Sequence, residues 1–284
     1  SSELMAGEME AGYEQSQRAI AHCRRSGNRQ DEGVALSDLA IFNYEHGDVD
    51  LALAHFRQAL AIAQGLQQWR REALVLNNLA VLFNSQGRTA EGMAHSEAAL
   101  AIHREFGEKR GMGLALNTLA ILQRNLGHHE ASRASLTEAL AIFRELGDRR
   151  YAGMVVGNLG EVSEAVGDVE EAERQTEEAI RLSDQSYPAA AGAFRGNLAV
   201  LRARRGDIEG ARELLRDGDA LLRGVFELEL GKLVCKRGEV ERMAGDVAAA
   251  HGALREAEAI GARMKVGPGS ELHGLVEALR ETLK

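Results

Sequence analysis

The sequence predicts an all-α fold, a solenoid of antiparallel helix pairs. Three observations carry this expectation. Only two prolines occur in 284 residues, which favours long helices. A Leu-small pair recurs at Leu39-Ala40, Leu79-Ala80, Leu119-Ala120, Leu159-Gly160 and Leu198-Ala199, at steps of 40, 40, 40 and 39. Gly7, Gly47, Gly87, Gly127, Gly167, Gly206 and Gly245 keep the same phase. A self-similar period of this length is the mark of stacked repeats.

Taken along the chain, residues 7–26 align with the second helix of a repeat whose first helix is missing. This half-repeat points to a segment excised from a longer protein; a natural half-repeat cap is the other reading. Full repeats then start near 30, 70, 110, 150, 189 and 228. In each, a first helix such as Glu72–Gln86 ends at a Gly suited to positive φ. A second helix such as Thr89–Phe106 follows, with Thr89 as its expected N-cap. A short loop such as Gly107-Glu108-Lys109 leads onward. The array is expected over 1–266, and 267–284 form a linker and a C-terminal capping helix. Leu272, Leu275, Val276 and Leu279 line one side of that helix, and Ser270 stands at its N-cap position. Gly267-Pro268-Gly269-Ser270 also looks like a cloning scar, which leaves a tethered peptide as the alternative for 267–284.

The packing is legible too. Columns of small residues run through the copies: Ala40, Ala80, Ala120 and Gly160 in first helices, Ala59, Ala99, Ala139 and Ala179 in second helices. Small side chains bring helix axes to the short end of the 8–10 Å range. Val75, Leu79 and Leu82 form one apolar stripe, which a lone helix pair leaves uncovered and a stack buries.

Small residue, Gly, Ala and Ala-Leu in this order, as in Ala120, Gly127, Ser132 and Ala139-Leu140, resemble the tetratricopeptide repeat. The resemblance covers about residues 7–263. The 40-residue period with Asn77-Asn78-Leu79-Ala80 and Gly157-Asn158-Leu159-Gly160 is most similar to the repeats of kinesin light chains and spindle-orientation adaptors. Similar arrays occur in bacterial signalling ATPases and transcription regulators. The family's aromatic residue, three places after the small one, is kept only at Phe83; Asn43, Gln123, Ser163, Arg202 and Glu241 replace it. Arg237 stands where Leu is expected in the last copy. The resemblance implies a right-handed superhelix with first helices on its concave surface.

Composition excludes several functions. The net charge of −9 offers no basic footprint for nucleic acid. No run of 18 apolar residues is present to span a membrane, and residues 1–20 have no secretory leader pattern. Two isolated cysteines, Cys23 and Cys235, fit a reducing, cytoplasmic setting. Arg outnumbers Lys 29 to 5, a skew associated with GC-rich, bacterial genomes. No catalytic constellation, cofactor motif or metal site emerges. Gly224 to Gly231-Lys232-Leu233 misses the phosphate-loop spacing and its Ser/Thr. His128-His129-Glu130 puts adjacent imidazoles about 100° apart on a helix, a poor chelate.

Binding is the expected activity. Beside the buried stripe of each first helix lies a face with 4, 3, 4 spacing: Val34/Asp38/Ile41/Glu45, Leu74/Asn78/Val81/Ser85, Leu114/Thr118/Ile121/Asn125, Met154/Asn158/Glu161/Ala165, Ala193/Asn197/Val200/Arg204 and Lys232/Lys236/Glu239/Met243. Its second column is polar in every copy. Asn78, Asn158 and Asn197 are candidates for a ladder that grips a peptide backbone, since an amide both donates and accepts. Asn at these places does that job in the resembling adaptors. Asn77 and Asn117 lie one residue earlier, and Asp38 and Thr118 interrupt the ladder. The alternative is that these amides cap or bridge neighbouring helices. Asp38 and Glu45 at one end and Arg204, Lys232 and Lys236 at the other make a charge gradient that would orient a ligand; ordinary surface scatter is the other reading. Ile41, Val81 and Ile121 occupy the Asn places of the chaperone-tail carboxylate clamp, which argues against chaperone tails as ligands.

The expected function is therefore a non-enzymatic protein-interaction scaffold that takes an extended peptide or protein segment in its groove. The alternative is an effector-sensing arm of a larger bacterial ATPase or transcription regulator. Trp69, the sole Trp, is expected to staple two repeats. Met5, Met9, Tyr13 and Ile20 on the unpaired first helix would favour an end-to-end homodimer.

Overall fold

A computed structural model describes residues 2–264, 266–268 and 270–284, with side chains from residue 13 onward except residue 15. The side chains of Met5 and Met9 lie outside the described residues. Every regular element among the described residues is a helix, and the chain divides into two compact units.

The first unit, residues 1–127 with 265–270, holds α1 (Ser2–Ser26), α2 (Arg29–Glu45), α3 (Val49–Gly65), α4 (Trp69–Ser85), α5 (Thr89–Glu105) and α6 (Lys109–Asn125). The second, residues 128–264 with 271–284, holds α7 (His129–Glu145), α8 (Arg149–Ala165), α9 (Val169–Ser183), α10 (Pro188–Arg204), α11 (Ile208–Leu222), α12 (Glu227–Met243), α13 (Val247–Arg263) and α14 (Glu271–Thr282). Within each unit consecutive helices pack on one another, and alternate ones touch as well: α2 on α4, α4 on α6, α10 on α12.

The small columns lie where the axes come closest. Ala40, Ala80, Ala99, Ala120, Ala139 and Ala179 are fully buried. A Cβ added at Gly92 would stand 2.7 Å from the Ala80 carbonyl oxygen, so only Gly admits that approach of α5 to α4. Around these contacts the first unit buries Leu36, Phe56, Val75, Leu79 and Leu82, and the second buries Leu136, Phe143, Val155, Leu222 and Ile260. The turns follow the glycine phase: Gly47, Gly87, Gly127, Gly167, Gly206 and Gly245 all hold positive φ.

Local details differ from the sequence reading. Arg88, not Thr89, is the N-cap of α5, and it makes no side-chain cap bond. Thr89 is already helical, and its hydroxyl donates to Asn84 Oδ1 at 3.1 Å. Trp69 is the first residue of α4. Its indole stacks on Phe106 at the end of α5, centroids 4.3 Å apart and planes 3° from parallel, and meets His103 edge-on, so these ring contacts tie the two helices of one pair rather than stapling two repeats. The 39-residue steps also have a mechanical origin. Helices α9 and α11 are 15 residues long where their counterparts have 17, while the turns after them gain one residue. Pro188 opens α10, where its missing N–H costs nothing.

In three copies the degenerate aromatic column is matched by a partner on the facing second helix of the same pair, and in two others, Arg202 with Glu177 and Glu241 with Arg212, by the second helix of the preceding pair. Asn43 bonds His55 (3.0 Å), Phe83 stacks on His95 (centroids 5.2 Å), and Ser163 donates to Gln175 (2.9 Å). Glu241, itself buried, is met by Arg212, with Nη2 to Oε2 at 2.6 Å. A buried polar group stays only where it is hydrogen-bonded, so each substitution required its partner.

Helix α14 covers the end of α12. Leu272 and Leu279 seat on Gly231 and Gly238, where an added Cβ would stand 2.7 and 2.5 Å from their methyls. The 266–268 segment lies on the α2–α3 turn, with the Gly267 N–H donating to the His46 carbonyl at 2.8 Å.

Two predictions follow from this packing. Gly→Ala inside a helix should gain about 0.5–1 kcal/mol from propensity alone. At Gly274, with open space around it, that gain is expected. At Gly157 the new methyl would fall 2.1 Å from the Phe194 ring, and overpacking should reverse the sign to a loss of about 1–3 kcal/mol. Urea melts of the two variants check the contrast.

The second prediction concerns pH. Burial, the leading cause, holds the imidazoles of His55, His95 and His103 in the first unit below their ordinary range. Such groups bind protons more readily in the unfolded chain. Their contribution is whole above about pH 6.5 and drains as pH falls through that value toward the folded one. The melting temperature should fall between pH 7 and 5.5, and His55→Gln/His95→Gln/His103→Gln should flatten that slope in a calorimetric series.

Candidate functional site

The first-helix face differs in character between the two units. In the first unit, α2 presents Ile41 and α4 presents Leu74 and Val81 to solvent, at 38%, 53% and 39% exposure. Aliphatic side chains are equally exposed elsewhere on the molecule, Leu51, Leu66 and Val166 among them, so these three count through the polar groups that share their face. Between them, the half-buried Asn78 amide makes no hydrogen bond among the described residues. Asp38 and Glu45 are exposed on α2, and neither forms an ion pair there. Asn125 of α6 donates to Asn84 Oδ1 of α4 at 3.0 Å, which fixes the rim of this face. Thr118 is buried, and Ile121 is half-buried. Asn77 and Asn117 are half-buried at the edge of the packing stripe; Asn77 Oδ1 is buried without a hydrogen-bond donor, and Asn117 has a partner.

In the second unit the corresponding groups engage one another. Asn197 of α10 donates from Nδ2 to Glu161 Oε1 of α8 at 3.2 Å, and its Oδ1 accepts from Lys236 Nζ of α12. Both ends of the amide are thereby used, and three first helices are strapped together. Arg204 pairs with Glu164 of α8. Asn158 is half-buried and not free. Burial pushes the Lys236 ammonium below its ordinary value, and Glu161 and Glu239 only partly oppose this. Lys232 goes the other way: burial acts against its charge, but Glu271 (2.5 Å) and Glu229 (3.0 Å) hold it above the usual lysine value. Burial likewise raises the neighbouring Cys235 thiol to about 12, which keeps it protonated and unreactive near neutrality.

The predicted site residues therefore fall into two groups. Asp38, Glu45 and Asn78 share an unpartnered face with Ile41, Leu74 and Val81. Asn197, Lys236 and Arg204 belong to a self-satisfied lattice with Glu161 and Glu164. Sequence reasoning passed over Gln68 and Arg71, which line the cleft between α2 and α4 together with Asp38 and Leu74. Gln67 in the preceding turn was the available signal, because Gly27, Gly107 and Gly147 hold the equivalent positions. Among the described residues no group of three or more His, Cys, Asp or Glu could hold a metal ion, and no helix is long and apolar enough to cross a membrane.

Comparison with known proteins agrees with this architecture. Residues 71–145 match the tetratricopeptide repeat family model, and residues 21–70 match that of anaphase-promoting complex subunit 5. No curated protein matches the chain. Among solved structures, BtubC (BKLC) from P. vanneervenii is 22% identical over 90% of this chain and 92% of its own, with a TM-score of 0.56. A putative kinesin light chain with nearly identical TPR-like repeats from Podosopora anserina is 18% identical over 67% of this chain and 94% of its own, with a TM-score of 0.52. A Rap protein complexed with Competence and Sporulation Factor is 16% identical over 89% of this chain and 76% of its own, with a TM-score of 0.68. Residues 71–145 thus match tetratricopeptide repeats, and the all-helical fold of the chain resembles the solenoid of these solved repeat proteins.

The contrast between the two units has a measurable consequence. Asn197→Ala strips Lys236 and Glu161 of their shared partner and should cost about 1–3 kcal/mol. Asn78→Ala removes an amide bonded to nothing in the fold and should stay within about 0.5 kcal/mol of the parent. Paired chemical-denaturation curves measure both.

Proposed function

We propose that the protein is a non-enzymatic interaction scaffold that binds an extended peptide segment on the first-helix face of its first unit. One observation carries the reading: exposed Leu74 and Val81 flank the Asn78 amide along α4, with exposed Ile41 on the neighbouring α2, and that amide has no partner among the described residues. Aliphatic side chains supply area for apolar anchors at about 25 cal/mol per Å² buried. The amide can donate to a peptide carbonyl and accept from a peptide N–H, whatever side chains the peptide carries. The tetratricopeptide repeat is in general a scaffold fold for protein interaction, which agrees with this assignment. Asn158 and Asn197 do not extend the grip in this reading, since neither is free. The expected ladder thus shortens to Asn78 with Asp38 and Glu45 beside it.

The second reading is an effector-sensing arm of a larger bacterial regulator. The observation that favours it is the fold shared with a Rap protein solved with Competence and Sporulation Factor bound. On that reading the effector occupies the same face and controls a domain elsewhere in a longer chain.

A displayed library of random decapeptides, panned on the immobilised protein, tests the proposal. Enriched peptides should bind the parent and lose about tenfold, or 1.4 kcal/mol, on Asn78→Ala. Asn197→Ala should bind them normally at a temperature where it remains folded. Equal binding by parent and Asn78→Ala would move the site off this face. A library with no enriched member would turn the search to small effectors, by thermal-shift screening.

A further inference from the structure

The cleft between α2 and α4 brings three features together at one place. Its floor is aliphatic, from Ala59 and Ile62 of α3, with Val34 and Leu74 at the sides. Its space is about 60 Å³, where a single water needs about 10–15 Å³ on the same measure. That is room for a few waters or one side chain of Val to Leu size.

The rim carries the second. Before three first helices the preceding polar residue turns its side chain inward as a cap: Asn28 accepts from the Asp31 N–H, Glu108 from that of Gly111, Asp148 from that of Tyr151, whereas Tyr187 and Phe226 before α10 and α12 make no such bond. Gln68 holds the same place and makes no such bond. Its Oε1 is instead buried with no donor. A buried acceptor left unmet costs about 1–3 kcal/mol, and an incoming N–H relieves it.

The turn itself is the third. Gln67 holds φ 53°, where Gly27, Gly107 and Gly147 take 72°, 64° and 67°. A side chain in this left-handed region carries about 1–2 kcal/mol of strain. Strain and an orphan acceptor coincide at one opening, beside an Arg71 guanidinium and an Asp38 carboxylate that pair with nothing in the fold.

We propose that this cleft is the anchor subsite for the peptide, and that it selects one small aliphatic side chain flanked by Lys or Arg. This rests on the peptide-binding reading above and specifies its ligand. The Val- to Leu-sized side chain enters between Val34 and Leu74. The same residue's main-chain N–H meets Gln68 Oε1, and a main-chain carbonyl meets Arg71. Asp38 lines the α2 side of the cleft, opposite Arg71 on α4, and Glu45 lies two turns further along the exposed face of α2, so a side chain flanking the anchor on the α2 side is cationic. An aromatic anchor is too large for the cleft, and an acidic neighbour on the α2 side would face the Asp38 carboxylate.

The test uses a positional-scanning library of acetylated, amidated, fluorescein-labelled hexapeptides, read by fluorescence polarisation on the intact chain. The parent should favour Val, Ile or Leu at one position and Lys or Arg beside it. Val34→Trp, which fills the mouth of the cleft, should weaken the best peptide at least tenfold. Asp38→Lys changes an exposed side chain with no packing role, and it should reverse the neighbouring preference from Lys/Arg to Asp/Glu. Circular dichroism confirms that both variants are folded. Tight peptides that prefer aromatic or acidic residues, or that ignore both substitutions, would overturn the subsite while leaving peptide binding intact. No binding by any library pool would overturn the peptide-binding reading, and the subsite with it.

Discussion

Close approach of paired helices at glycine and alanine is the contact on which the rest of the structure depends. Where Gly92 passes the Ala80 carbonyl oxygen, a single extra carbon would sit at 2.7 Å. A looser form of the same approach occurs at Gly160, where an added carbon would sit 3.3 Å from the Ala172 carbonyl oxygen and 2.8 Å from the Thr176 hydroxyl. With the backbones this near, neighbouring Leu, Val and Phe side chains interdigitate at crystal-like density, and each helix spends one stripe on its pair and another on the next. What remains of a first helix is a narrow face, and its few side chains are the ones left for a ligand.

Those side chains are used differently along the chain. In the second unit, Glu161, Asn197 and Lys236 satisfy each other across α8, α10 and α12, while Lys232 is held by Glu229 and Glu271. Charges so placed are partly desolvated, and removing one partner leaves another exposed to that cost. The lattice therefore serves the fold. In the first unit the same positions carry aliphatic groups and an unbonded amide, which contribute little to stability where they stand. A surface that is a poor investment for folding gains its value from a ligand.

Much of the repeat was legible in advance because its code is local. Glycine phase, small columns and apolar stripes depend on residues within one turn or one hairpin, and they located the helices to within a few residues. Where a local rule had a competitor it was less secure. Thr89 looked like a cap, but Arg88 takes that place and the Thr89 hydroxyl bonds Asn84 instead. The lost aromatic column looked like decay. In the fold it is a set of replacements, Asn43 with His55 and Ser163 with Gln175, whose members lie 12 residues apart on facing helices. Such pairs become visible only when both helices are set side by side.

By itself the sequence determined an all-helical array of tetratricopeptide-like pairs, the turn positions, and which face of each first helix stays out of the core. Periodicity is a linear property of a chain, and helix geometry converts it directly into faces. Only the tertiary structure decided which amides on that face are free. Asn78 and Asn197 occupy equivalent places in their repeats, and nothing within one repeat distinguishes them. What separates them is the partner 36 to 39 residues away: Asn197 meets Glu161 and Lys236, and Asn78 meets none. The orphan oxygen of Gln68 is of the same kind. A hydrogen bond is satisfied or unmet according to what stands within about 3 Å, and that distance is set by packing between helices rather than by order along the chain.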